Sequence, residues 1–225
     1  MNNQYTIAID GPVGSGKGTL SVALSERLGI LYLYTGGMYR GLTLACLRAG
    51  IDLHDEDAVL EVLSNCNLHL KVTSGQTVIF LGDEDISEKI IRPEVSNNTP
   101  IIAAHPRVRE EMVKRQKDLV SGQSSVIEGR DIATVVAPNA DVKIFLNASL
   151  EERAHRRFKQ FQERGINKTY EEVLSDTEER DRKDMGRDDS PLHYAKDAIE
   201  VDTTNDTIDQ TVEKVMQILK EKGLI

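Results

Sequence analysis

The sequence predicts an α/β protein in which helices flank a five-stranded parallel sheet. Near the N-terminus, a short apolar run is followed by a glycine-rich turn and then by a helical pattern. Farther along, apolar runs of strand length alternate with helical patterns, which is typical of a parallel sheet covered on both faces. No apolar run approaches the ~20 residues needed to span a bilayer. The 225 residues suffice for one such domain with a sizeable core and an insertion.

The first part of the chain shows this alternation directly. We expect a strand at residues 5–10, a helix that ends at Gly29, and a second strand at residues 30–34. A turn at Thr35 then leads into a helix from about Met38 to Ala49, which Gly50 stops.

The segment from residue 51 to about residue 105 has a different character. A short helix is expected at residues 55–64, followed by two strands of alternating polarity at residues 67–72 and 77–81. Pro93 opens another short helix. A hairpin that interrupts a β/α alternation predicts an inserted small subdomain.

After residue 105 the alternation of strands and helices resumes. The remaining predicted strands are residues 125–128, 142–146 and 198–202, and the predicted helices are residues 106–121, 150–163, 170–184 and about 208–219. Because ligands of such sheets bind at the carboxyl ends of the strands, residues that follow the strands should converge on one crevice.

Gly11, Gly16 and Lys17 have the spacing of a phosphate-binding loop (P-loop), between a predicted strand and a predicted helix. Glycines let backbone N–H groups close around phosphate oxygens, and the helix N-terminus adds further donors. Lys17 supplies a positive charge for β- and γ-phosphates. A plain glycine-rich turn at a helix start is the alternative, and the complete set of strand, spacing and helix disfavours it.

The residue after Lys17 departs from the general motif. Gly18 stands where serine or threonine usually binds magnesium, and the hydroxyl comes one position later, at Thr19. Thr19 is therefore the candidate metal ligand, directly or through water. The Gly-Lys-Gly-Thr ending resembles the loop of the nucleoside monophosphate kinases.

The net charge of −9 argues against a protein that binds nucleic acid polymers, because such proteins normally present a basic surface. Arginines nevertheless cluster in three places, and basic islands in an acidic chain suit small anions. The clusters are Arg107/Arg109, Arg153/Arg156/Arg157 and Arg180/Arg182/Arg187. For any one cluster, a solvated helix face is the alternative.

Two further features concern the cellular setting. Cys46 and Cys66 have no metal-binding or redox spacing, so we expect free thiols. Residues 1–4 lack the basic and apolar regions of a signal peptide, which predicts a cytoplasmic protein with no membrane association.

Two cation-bearing segments follow predicted strands. Arg40 lies in the first turn of the helix after the second strand, where it could bind a phosphate with two parallel hydrogen bonds. Arg130 and Asp131 follow the strand at residues 125–128. Either arrangement could instead be a structural salt bridge.

Together these motifs resemble those of the bacterial-type cytidylate kinases, a family of the P-loop nucleoside monophosphate kinases, over essentially the whole chain. The segments that carry the resemblance are residues 9–19, 35–40, 104–109, 129–131, 143–146, 151–157 and 180–187. The resemblance implies a single domain over residues 1–225, with a core at 1–50 and 106–225, a nucleoside-monophosphate-binding insertion at about 51–105 and a lid at about 151–168.

The resemblance also implies transfer of the γ-phosphoryl group of MgATP to CMP or dCMP. The sequence shows no long exposed apolar seam for an obligate partner, so we expect a monomer. The residues implied to bind ATP phosphates are Gly11, Pro12, Val13, Gly14, Ser15, Gly16, Lys17, Gly18 and Thr19. Those implied to bind CMP are Thr35, Tyr39, Arg40, Arg109, Arg130, Asp131, Asp184 and Arg187. Those implied to act in catalysis are Lys17, Arg130, Arg153 and Arg157.

Two positions differ from the family pattern. Pro100 stands where members often have a base-contacting serine, and Thr99 is a candidate substitute. Glu128 stands where an aspartate often precedes Gly-Arg-Asp, and its side chain is one methylene longer.

Three other classes of protein fit the sequence less well than this family. A GTPase switch would carry Asn-Lys-x-Asp and Asp-x-x-Gly, neither of which occurs. A small-metabolite kinase would share the loop but would not need Arg40, Arg109 and Arg130 for an acceptor phosphate. A non-catalytic ATP-dependent module would need fewer arginines than the chain contains.

Overall fold

The structure of the protein is a computed structural model that describes residues 4–73, 76–186 and 191–225. The described strands are β1 (Thr6–Asp10), β2 (Leu31–Tyr34), β3 (Leu68–Thr73), β4 (Gln76–Leu81), β5 (Glu84–Asp85), β6 (Ser125–Gly129), β7 (Val142–Asn147) and β8 (Ile199–Asp202). The described α-helices are α1 (Lys17–Leu28), α2 (Thr35–Ala49), α3 (Glu56–Asn65), α4 (Pro93–Ala104), α5 (Pro106–Val120), α6 (Leu150–Glu163), α7 (Tyr170–Met185) and α8 (Ile208–Glu221).

The central sheet has five parallel strands in the order β2-β6-β1-β7-β8, which confirms the predicted fold class. In its centre, Ile7 of β1 lies opposite Val126 of β6 and Val142 of β7. Side chains of a strand point alternately to the two faces. Ala8 therefore packs with α2, α3 and α5 in one apolar cluster, and Ile9 packs with α1 and α8 in the other.

A second sheet of three antiparallel strands, β3-β4-β5, confirms the hairpin predicted at residues 67–72 and 77–81. Strand β5 was not predicted, because two residues are too few to show an alternating pattern. The hairpin approaches α2 closely at Gly37 and Gly41. A Cβ atom would lie 2.2 Å from Cδ1 of Ile79 at Gly37, and 2.5 Å from Cδ1 of Leu68 at Gly41. These two glycines therefore allow the hairpin to pack on α2.

Two elements differ from the sequence prediction. Helix α2 begins at Thr35, directly after β2, and not near Met38. The turn predicted from Gly36 and Gly37 is helical, so that Arg40 lies in the second turn. A short π-helix at Ile132–Val136 was also missed.

Among the described residues, no helix combines the length and the apolar character that crossing a bilayer requires. The division into a core, an insertion and a lid stays a prediction.

Candidate active site

A cleft of about 660 Å³ opens at the carboxyl ends of β1, β2 and β6. It is lined by the glycine-rich loop and by residues of α2, α4, α6 and α7. Most of the site residues implied by the resemblance line it, as do Glu128 and Arg180. Gly11, Pro12, Ser15 and Arg153 do not line its wall. Arg187 lies outside the described residues.

The glycine-rich loop has a backbone that favours glycine at three positions. Gly11, Gly14 and Gly16 have φ angles of 150°, 79° and 94°, a region that other residues adopt only with strain. At Gly11 a Cβ atom would also lie 2.0 Å from the carbonyl oxygen of Leu146. The loop can therefore keep this shape only with glycine at these positions.

Four cationic side chains donate to backbone carbonyl groups of this loop. The donor–acceptor pairs are Arg130 Nη1 to Gly11 O at 3.0 Å, Lys17 Nζ to Pro12 O at 2.7 Å, Arg153 Nη1 to Val13 O at 3.1 Å and Arg156 Nη1 to Ser15 O at 3.4 Å. With these carbonyl groups occupied by cations, the N–H groups of the loop remain the donors available to an anion.

Lys17 is buried, and its Nζ also donates to Oγ of Ser15 at 3.3 Å. Burial, followed by the charge of Arg130, holds the pKa of Lys17 well below its usual value. A phosphate bound beside Nζ would be an anion that favours the charged form of Lys17.

Glu128 lies beside Gly18, which stands where the motif usually has serine or threonine. A Cβ atom on Gly18 would lie 3.5 Å and 3.6 Å from the two carboxylate oxygens of Glu128. The hydroxyl of Tyr32 donates to Glu128 at 2.7 Å. Burial raises the pKa of Glu128, and the charge of Lys17 works in the opposite direction.

The oxygen atoms near Gly18 fit a magnesium ion. Thr19 is exposed and lines the cleft, as the Glu128 carboxylate does. Mg²⁺ prefers oxygen ligands and usually keeps several waters, with one or two carboxylates and substrate phosphates. Within the described ranges, no group of three or more His, Cys, Asp and Glu side chains could hold a metal, so the ion would need substrate phosphates and water as further ligands.

Arg40 and Arg130 both line the cleft and donate hydrogen bonds within the protein. Nη1 of Arg40 donates to the carbonyl of Ile90 at 2.9 Å and to Oγ of Ser96 at 2.6 Å. Nε of Arg130 donates to Asp184 at 2.7 Å. Burial works against the charge of Arg130, but neighbouring carboxylates, above all Asp184, raise its pKa.

Arg109 and Asp131 form a buried ion pair in the wall of the cleft. Nη1 of Arg109 also donates to the carbonyl of Ala103 at 3.1 Å, and its guanidinium lies 5.9 Å from the ring centre of Tyr39. A guanidinium and a carboxylate side by side could together bind the edge of a nucleobase.

Thr35 and Thr99 use their hydroxyl groups within the protein. Thr35 donates to the carbonyl of Glu128 at 2.7 Å, and Thr99 donates to the carbonyl of Val95 at 2.7 Å. Both line the cleft. Their oxygen atoms can still accept a hydrogen bond, but the hydroxyl protons are already engaged.

Arg180 lines the cleft, although it is not among the site residues that the sequence predicts. Nε of Arg180 and Nε of Arg157 are buried and have no hydrogen-bond partner among the described residues. Burial, followed by the charges of Arg130 and Arg40, lowers the pKa of Arg180 to about 9. Burial and then Arg40 also lower the pKa of Arg157. Arg180 lies one helical turn before Asp184, and this spacing could have identified it.

Arg40, Arg130, Arg157 and Arg180 all line the cleft, and the charges of Arg40 and Arg130 act on both Arg157 and Arg180. The described lining of the cleft contains nine Lys or Arg side chains and five Asp or Glu side chains. This excess of positive charge is the opposite of the net charge of the chain, −9. The arrangement suits a ligand or ligands with several negative charges.

A P-loop followed by a parallel sheet, with an arginine-lined cleft facing the loop, defines a P-loop phosphotransferase. A family model described as cytidylate kinase matches residues 7–221. The chain belongs to the cytidylate kinase family.

Individual relatives support the same assignment. A protein named cytidylate kinase from Geobacillus kaustophilus (strain HTA426) is 42% identical over 99% of both chains. One from Bacillus subtilis (strain 168) is 41% identical over 99% of this chain and all of its own length.

A solved structure of a gluconokinase from Sinorhizobium meliloti 1021 superposes with a TM-score of 0.52, covering 98% of this chain and 94% of its own. Its sequence is 14% identical, so this likeness concerns the fold alone.

Proposed function

We propose that the protein transfers the γ-phosphoryl group of MgATP to CMP or dCMP, giving CDP or dCDP and ADP. The family supports this reaction, and one observation carries it. Four guanidinium groups line the cleft together with the phosphate-binding loop, and two of them keep a buried Nε without a partner among the described residues. Donor binding alone does not require this cluster, whereas the phosphate of an acceptor would balance it.

The acceptor needs no general base. The second pKa of a phosphate monoester is near 6, so at neutral pH the acceptor is mostly dianionic. One of its oxygens attacks the γ-phosphorus in line, the bond to the β,γ-bridging oxygen breaks, and ADP leaves. The protein has to position the two nucleotides and neutralise their charge.

In this proposal the loop and Lys17 hold the donor phosphates. Arg40, Arg130 and Arg180 bind the acceptor phosphate, and Arg157 contacts the phosphoryl group in transfer. Magnesium, held by phosphates and water with Glu128 and Thr19 nearby, would neutralise charge on the donor.

The remaining residues select the acceptor. Arg109 and Asp131 would bind the cytosine edge beside Tyr39, and Asp184 would lie near the sugar. Thr35 and Arg187 are the other residues proposed to bind CMP. We expect a cytoplasmic monomer.

Acceptor choice tests the proposal directly. Purified protein with MgATP should release ADP rapidly with CMP and dCMP, and far more slowly with UMP, AMP, GMP or no acceptor. Coupled detection of ADP measures the rates. Rates with CMP no higher than those with UMP or water would overturn the assignment.

A matched pair of lysine variants controls this assay. Lys17→Met should lower turnover by about a thousandfold, because it removes a charge from the transferred phosphoryl group. Lys159→Met, at an exposed position of α6 outside the cleft lining, should keep the wild-type rate. Equal rates for the two variants would remove Lys17 from the proposed mechanism.

A further inference from the structure

Helix α7 is joined to the phosphate-binding loop by two arginines. Asp181 and Asp184 lie three residues apart, which places them on one face of the helix. Asp184 accepts from Arg130, which donates to the carbonyl of Gly11. Asp181 binds Arg153, which donates to the carbonyl of Val13. In each aspartate–arginine pair, the arginine therefore also donates to a backbone carbonyl of the loop.

The pair formed by Asp181 and Arg153 is buried. The exposed fractions of the Arg153 and Asp181 side chains are 8% and 12%. Nη1 of Arg153 lies 2.5 Å from Oδ2 of Asp181 and 3.1 Å from the carbonyl oxygen of Val13. Its Nε donates to the carbonyl of Ala148 at 2.9 Å. These three contacts hold the guanidinium behind the loop, and Arg153 is not among the residues that line the cleft.

The backbone of α6 also touches the loop at Arg153. A Cβ atom on Gly14 would lie 2.8 Å from the carbonyl oxygen of Arg153 and 3.0 Å from its Cβ. The loop is therefore supported at one place by both the main chain and the guanidinium of a single residue.

Peptide geometry links this support to the donor site. A trans peptide places its C=O and N–H groups on opposite sides, and no cis peptide occurs among the described residues. The bond from Arg153 to the Val13 carbonyl therefore turns the N–H of Gly14 away from the Arg153 guanidinium, and Gly14 itself lines the cleft. An N–H that is oriented before the ligand arrives does not have to be ordered on binding.

We propose that Arg153 and Asp181 are positioning residues for the donor: Asp181 orients the Arg153 guanidinium, and Arg153 fixes the Val13 peptide so that the Gly14 N–H is directed at the donor phosphates. This proposal rests on the phosphoryl transfer proposed above. It replaces the catalytic role that the family resemblance implied for Arg153.

The two roles of Arg153 predict different kinetics. A positioning residue acts on every state in which the loop holds phosphates, so its loss weakens ADP and ATP binding alike. A residue that touches the transferred phosphoryl group acts mainly in the transition state, so its loss lowers kcat and leaves ADP affinity unchanged.

The test uses Arg153→Lys, Asp181→Asn and the double variant of the full chain. Calorimetric titration measures ADP affinity, steady-state kinetics measure kcat and both KM values, and thermal unfolding measures Tm. Each single variant should raise the Kd of ADP about tenfold, the loss expected for one charge-assisted hydrogen bond. The double variant should raise it little further, because both residues act through one contact. Arg182→Lys, at an exposed neighbouring position of α7, should bind ADP like the wild type.

Two results would overturn the proposal. A loss of about a thousandfold in kcat with unchanged ADP affinity would place Arg153 at the transferred phosphoryl group. A lower Tm with unchanged ADP affinity would show a structural role only. Asp181→Asn keeps the side-chain shape and remains decisive if Arg153→Lys does not fold. ADP binding needs no acceptor, so the outcome is independent of whether CMP is the substrate.

Discussion

At the scale of single residues, Asp10 connects the phosphate-binding loop to the segment that follows β6. It lies at the end of β1, and its two carboxylate oxygens accept from the backbone N–H groups of Ile132 and Ala133, each at 2.8 Å. These N–H groups begin the π-helix that directly follows Arg130 and Asp131. Asp10 therefore fixes the segment that carries Arg130 and Asp131 relative to the phosphate-binding loop, which starts one residue after Asp10.

The ionisation of Asp10 should be visible in the stability of the protein. Burial raises the pKa of Asp10 from 3.8 to about 6, against the effect of the two N–H donors and with a further contribution from Asp131. Between these two pH values the folded protein holds a proton that the unfolded chain has released. Stability from this group is therefore greatest below pH 4 and declines as the pH rises to about 6, by about 3 kcal/mol in total.

Asp10→Asn tests this assignment, because asparagine does not titrate. The free energy of unfolding of the wild type, relative to that of the variant, should fall by up to about 3 kcal/mol between pH 3 and pH 7. Urea unfolding at a series of pH values measures it. A hydrogen bond lost in the Asp10→Asn variant lowers its free energy of unfolding equally at every pH, so the pH dependence of the variant is unaffected. Parallel curves for the two proteins would contradict the raised pKa.

At the scale of elements, the contact between α6 and the phosphate-binding loop explains a glycine that the motif spacing does not require. Gly14 and Gly29 have similar φ angles, 79° and 65°, so alanine at either position carries similar backbone strain. A Cβ atom meets Arg153 at Gly14, whereas nothing lies within 4 Å at Gly29. The pair therefore separates backbone strain from packing of α6 on the loop.

Gly14→Ala and Gly29→Ala should each lower the free energy of unfolding by about 1 kcal/mol through strain. Only Gly14→Ala should also raise the KM for ATP, by about tenfold, because the loop must shift away from α6. Chemical denaturation and steady-state kinetics measure the two effects. The same KM for ATP in both variants would show that α6 does not determine the shape of the loop.

At the scale of the whole molecule, the charge distribution should steer substrates. The chain has a net charge of −9, yet its cleft is lined by more cations than anions among the described residues. Anionic nucleotides are therefore repelled by much of the surface and attracted by the cleft. Salt weakens this attraction, because charges farther apart than the Debye length, about 10 Å at about 0.1 M, are largely screened.

We expect kcat/KM for CMP to fall by about tenfold between about 0.05 M and about 0.5 M KCl at constant free magnesium. The thermal unfolding midpoint over the same range serves as a control for stability. A value of kcat/KM that stays constant or rises with salt would show that the cleft does not attract the acceptor electrostatically.

The sequence by itself determined the fold class, the positions along the chain of the five strands of the central sheet, and the phosphate-binding loop. These depend on spacing within short stretches, such as Gly11 to Lys17, or on apolar runs that show their period locally. The start of α2 and the π-helix were missed because local composition misleads there. Glycines suggested a turn where a hairpin requires close packing, and Asp10 holds the π-helix from far along the chain.

Only the tertiary structure decided which arginines face the cleft. Arg153 and Arg157 are one turn apart on α6, yet Arg153 binds Val13 and Asp181 behind the loop while Arg157 lines the cleft. Arg180 joins Arg157 there from α7. The sequence shows which residues share a helix face, but the crossing of α6 and α7 over the loop determines what each face contacts. That crossing depends on packing between residues more than a hundred positions apart.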